Sequence, residues 1–81
     1  MPAYAQLVLA LRGRDKGHLL AVVRTDEHGV WLADGKRRPL EHPKRKNLRH
    51  IRSTPTVLDH EAMTTNRALR RAIRQVAEHG V

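Results

Sequence analysis

Residues 12–17, Arg-Gly-Arg-Asp-Lys-Gly, have the types and spacing needed to bind a phosphate backbone. Gly13 and Gly17 permit a tight loop that can approach a ligand closely, and Arg12, Arg14 and Lys16 make that loop cationic. A second block is denser: Lys36, Arg37, Arg38, Lys44, Arg45, Lys46, Arg49 and Arg52 are opposed only by Glu41. Like charges at that density repel one another unless a polyanion offsets them, so a merely solvated basic face is the weaker explanation. Arginine outnumbers lysine, which suits bidentate contacts to phosphate and guanidinium stacking on bases. Asn47 and His50 lie in the same block and can hydrogen-bond sugar or base edges, while His42 and His50 add charge under acidic conditions.

Two acidic residues in these stretches read as structural. Asp15, between Arg14 and Lys16, is expected to accept backbone amides in the turn or to pair with a cation rather than meet phosphate. Asp34 before Gly35 is a turn residue.

Catalytic chemistry finds no support in the residue pattern. His18, His28, His42, His50, His60 and His79 are scattered without a metal-ligand spacing, and Asp59-His60-Glu61 is a local polar cluster. The loop at 12–17 lacks the phosphate-loop pattern of nucleotide hydrolases, and no nucleophile elbow is present. With no cysteine, disulfide frameworks and thiolate metal sites are excluded. The expectation is a binder without a cofactor.

The whole chain agrees with that reading. In 81 residues, 16 lysines and arginines face 8 acidic residues, a formal net charge of +8 that favours polyanions through counterion release and steering. The longest apolar run falls far short of the roughly 20 residues of a bilayer span. The stretch Met-Pro-Ala-Tyr-Ala-Gln has no cationic region of the secretory kind, so a cytoplasmic location is expected.

The elements that must position these groups are short. Strands are expected at 5–11, 18–25, 30–33, 37–40 and 48–53, with a hairpin loop at 26–29 and a turn at Asp34-Gly35. Pro39 and Pro43 make the fourth an edge strand. Five short strands with tight turns suit a small, strongly bent antiparallel barrel of SH3-like type. Trp31, between Val30 and Leu32, reads as a core residue, and with Tyr4 as the remaining aromatic a stacking platform for single strands is not expected. Beyond residue 55 the pattern changes. Leu69, Ala72, Ile73 and Val76 recur at helical spacing, with Arg67, Arg70, Arg71 and Arg74 on the other face. Thr64-Thr65-Asn66 can cap such a helix and Gly80 can stop it, which predicts one amphipathic helix at about 65–78, docked on the barrel or on a partner.

These residues carry a resemblance. Gln6-Leu7-Val8, Gly13-Arg14-Asp15-Lys16-Gly17 and Val22-Val23 resemble a KOW motif, the strand–loop–strand of several ribosomal proteins and transcription elongation factors. Ala33-Asp34-Gly35-Lys36-Arg37, Leu40 and Pro43-Lys44-Arg45-Lys46-Asn47-Leu48-Arg49-His50-Ile51 are similar to bacterial KOW-domain RNA-binding proteins. That group in turn resembles the KOW-carrying ribosomal protein fourteen of the archaeal and eukaryotic large subunit. The similarity is firmest over 5–54, and Ala5 departs from it, since the pattern commonly has glycine there. The resemblance implies a mainly β fold: a small SH3-like (KOW) antiparallel barrel of about five strands over 1–54, followed by a linker and one C-terminal α-helix over 55–81. It further implies binding to structured RNA, in particular large-subunit ribosomal RNA, with neighbouring ribosomal proteins as further partners and neither a membrane nor a small-molecule substrate. The residues implied are Arg12, Gly13, Arg14, Lys16 and Gly17 in the loop and Lys44, Arg45, Lys46, Asn47, Arg49 and His50 in the basic segment. Lys36, Arg37 and Arg38 join them by charge. The alternative from another class is a protein-interaction module on the transcription or translation machinery.

Overall fold

The continuous aliphatic runs form strands that are covered on both faces. The computed structural model describes residues 1–80 and contains β1 (Gln6–Ala10), β2 (Leu19–Thr25), β3 (Gly29–Ala33), β4 (Lys44–Asn47), β5 (Ile51–Val57) and one helix, α1 (Asn66–His79). The strands make a single antiparallel sheet in the order β4-β3-β2-β1-β5. Val8, Ala10, Leu20, Val22, Val30 and Leu32 are buried on one face, with Leu48 and Ile51 against them. Leu7, Ala21 and Ala33 are buried on the other, beneath Met63 and Leu69. A strand buried on both faces needs apolar residues at consecutive positions, which is why β1 and β2 do not alternate.

Connectivity forces the sheet to curl. β4 and β5 are its two edges, yet they are joined only by the 3-10 turn Leu48–His50. Laid flat, five strands would hold their edges about 19 Å apart. The four residue steps from Asn47 to Ile51 reach about 14 Å at most. The sheet therefore bends until its edges approach, and the first buried cluster fills the concave side. The fold is mainly β, a small SH3-like, barrel-like antiparallel sheet with one C-terminal helix.

The helix closes the opposite side. Thr65 caps it by accepting a hydrogen bond from Ala68 N at 3.0 Å, and Gly80 ends it at φ 85°. Leu69 is fully buried, and Ile73 and Val76 pack on the same cluster, so the apolar stripe docks on this chain's own sheet. Asn66 ties the start of the helix to the preceding loop, its Oδ1 accepting from Leu40 N (2.7 Å) and its Nδ2 donating to Glu41 (2.6 Å). That second bond holds the Glu41 carboxyl below its ordinary range. No helix among the described residues is long and apolar enough to cross a membrane.

Four expectations are corrected. Residues 37–40 do not form a strand: Asp34 Oδ1 accepts from both Lys36 N and Arg38 N at 2.8 Å, and this Asx turn draws the backbone into a loop. The fourth strand is instead Lys44–Asn47, where Pro43 has ended that loop. Residues 48–50 are a 3-10 turn, capped by Asn47, and β5 runs on through Pro55 to Val57 because an edge strand tolerates a missing N–H. Trp31 is only half-buried, since the guanidinium of Arg24 lies 4.4 Å above its ring in place of core side chains. Ala5, by contrast, explains its own oddity. It sits buried at φ 67°, the left-handed region where glycine is at ease, and bonds Val22 O (2.8 Å) while accepting from Leu58 N (2.9 Å).

Candidate nucleic-acid interface

The loop between β1 and β2 is braced from inside. Gly17 N donates to Ala10 O (2.9 Å), Lys16 N to Gly13 O (3.2 Å) and His18 N to Asp15 O (2.9 Å). Gly13 and Gly17 both lie at positive φ, 79° and 85°, so the two glycines supply the reversals that fold six residues back on themselves. Asp15 points inward. It is 2% exposed, and its carboxylate meets Arg38 at 3.2 Å and Lys46 Nζ at 3.8 Å. Lys46 Nζ also donates to Arg12 O (3.1 Å), so one ammonium clips the loop to β4. The turn-structural role expected of Asp15 is realised through cations, with the buried carboxylate as anchor.

Other groups converge on the same loop. Arg37 Nη2 donates to Arg14 O (3.3 Å), and its Nη1 lies 3.5 Å from His18 Nε2. Leu11 N donates to His50 O (2.9 Å), which places the 3-10 turn beside the loop. The fold thus gathers Arg12, Gly13, Arg14, Lys16, Arg37, Arg38, Lys46 and His50 around residues 11–18, although they come from segments up to 38 positions apart in the chain. Arg12, Arg14, Lys16 and Arg37 are exposed and, among the described residues, stand in no ion pair, as do Lys36, Lys44 and Arg49.

The remaining predicted residues divide. Arg45 projects from the opposite face of β4 to Lys46 and is taken by Asp26, with contacts of 2.9 and 3.1 Å. The paired guanidinium and the amides of His28 and Gly29 hold the Asp26 carboxyl far below the usual carboxylate range, and the same pairing raises Arg45 further. Asn47 Oδ1 is committed to capping, accepting from Arg49 N at 2.9 Å. Gly17 and Lys36 border a groove that runs toward α1. Sequence reasoning missed Arg24, whose place over Trp31 depends on the irregularity between Val22 and Arg24 in the β2–β3 register. Nothing in the residue types marks such a bulge. Among the described residues, no three His, Asp or Glu side chains converge as metal ligands would.

No known protein-family model matches this chain, and a search of curated proteins found no relative.

Proposed function

We propose that the protein is a non-catalytic, cytoplasmic binder of structured RNA, associated with the ribosome through large-subunit ribosomal RNA and neighbouring proteins. The observation that supports this most strongly is the set of unpaired, exposed cations around a loop that is locked in place by a buried carboxylate. Charges held in a rigid array meet phosphates with little ordering cost, and each phosphate neutralised releases counterions. Backbone and shape recognition is favoured over base stacking, because Trp31 is already covered by Arg24. Arg12, Arg14, Lys16, Arg37, Lys44 and Arg49 would take phosphates; Arg38 and Lys46 hold the loop that presents them.

The test is binding to ribosomal RNA fragments over a range of salt. Arg14→Ala with Lys16→Ala is expected to weaken binding and to flatten the log K against log salt slope by about 1.5, at roughly 0.7–0.9 per lost phosphate contact. An unchanged slope removes the loop from the interface. Sedimentation of the tagged protein with large subunits at low salt, and its release at high salt, is the expected cellular counterpart.

A further inference from the structure

Beside the loop, a groove of about 530 Å³ separates the sheet from the second half of α1. Leu9, Leu19, Ile73 and Ala77 supply apolar wall, while Lys36, Arg70 and Arg74 line it with cationic side chains and His18 borders it. Asp34 is the one acidic residue that lines it, and its Oδ1 already accepts two backbone amides. Arg70 and Arg74, one turn apart, and Lys36 stand in no ion pair among the described residues.

We propose that this groove is a docking site for an acidic peptide segment carrying a bulky apolar side chain, on a protein partner. The proposal does not rest on the RNA reading. Its occupant follows from the two chemistries present. Aliphatic walls accept a leucine or phenylalanine side chain without loss, whereas the donors and acceptors on a nucleobase edge would be stripped of water there and left unpaired. The surrounding guanidinium and ammonium groups match carboxylates on the same segment, Arg70 and Arg74 with bidentate geometry. An acidic amphipathic peptide satisfies both requirements; RNA satisfies only the second.

The experiment is an NMR titration of the full-length, isotope-labelled protein with a short synthetic peptide in which aspartates and glutamates flank a Leu-Phe pair. Saturable shifts at Leu19, Ile73 and Ala77 are expected. A control peptide of equal charge, with serines for the Leu-Phe pair, is expected to bind at least about tenfold more weakly, the worth of one buried large side chain. Ala77→Glu, at an exposed helix position whose spectrum reports that the fold is kept, is expected to weaken the Leu-Phe peptide several-fold and leave RNA binding at Arg12 and Arg14 intact. Equal binding of the two peptides, absence of binding, or shifts confined to residues 12–17 would each overturn the proposal. So would an RNA oligonucleotide that moves the groove amides at lower concentration than the peptide does. Failure of the RNA reading would show instead as an unchanged salt slope for the loop variant.

Discussion

Asp15 is the residue on which the basic face depends, although it carries the wrong sign for a polyanion. Its carboxylate is buried against Arg38, whose side chain is 27% exposed, and Lys46, at 10%. Removing it leaves two cations facing each other without compensation. Asp15→Ala is therefore expected to cost about 2–3 kcal/mol in urea unfolding, less than the ~3–5 of a fully buried pair because Arg38 keeps some water. The same variant should bind RNA more weakly, although its net charge is more positive. If charge alone governed the interface, affinity would rise. Asp26 offers a test of a different kind. Its folded carboxyl lies below the ordinary 3.8, so its contribution to stability is complete above that value and fades as pH falls toward the lower folded one. The midpoint gap between the parent and Asp26→Asn should be open at pH 6 and close as the pH drops below 3.8; a gap of constant size would show that the Arg45 pairing is not its source.

At the scale of elements, Gly35 and Gly17 separate two demands on glycine. Both have positive φ, 79° and 85°, but a side chain at Gly17 meets nothing within 4 Å. At Gly35 it would collide with the carbonyl of Asn66 and come within 3.0 Å of Arg70 N, in the first turns of α1. Gly17→Ala should thus cost about 1–2 kcal/mol of backbone strain. Gly35→Ala should cost clearly more, because the loop and the helix must also part; thermal melts of the two variants make the comparison. This contact shows what was and was not legible in the sequence. The apolar runs of β1 and β2, the glycine loop and the capped helix follow from local spacing and stand where that spacing puts them. The fourth strand did not, since nothing local tells that Asp34 will take two amides and carry the chain past 37–40 as a loop. The convergence of Arg37, Lys46 and His50 on the loop is a product of curvature, which no residue pattern encodes directly. The groove is still less readable, as it exists only where Arg70 and Arg74 are brought alongside Leu9 and Leu19.

For the molecule as a whole, positive charge is sorted by what holds it. Arg38, Lys46 and Arg45 are engaged internally by Asp15 and Asp26, and they maintain the shape of the face. Arg12, Arg14 and Lys16 on the glycine loop and Arg70 and Arg74 along the helix are instead exposed and stand in no ion pair among the described residues. The edge position of β4 has a further consequence, for solubility. Its outer row of amides and carbonyls is a template on which a second strand can add, and Lys-Arg-Lys-Asn is a sequence that repels such an addition, as Pro55 does on β5. Lys44, proposed to take a phosphate, therefore also acts with its neighbours on β4 as a gatekeeper against self-assembly. Lys44→Thr with Arg45→Thr should reduce RNA binding and, in sedimentation velocity, produce concentration-dependent aggregates. Lys44→Glu with Arg45→Glu should lose RNA at least as completely while keeping the hydrodynamic size of the parent. A neutralised edge would then be left exposed and prone to fibrous association, whereas the charged edge of the parent chain repels a second strand.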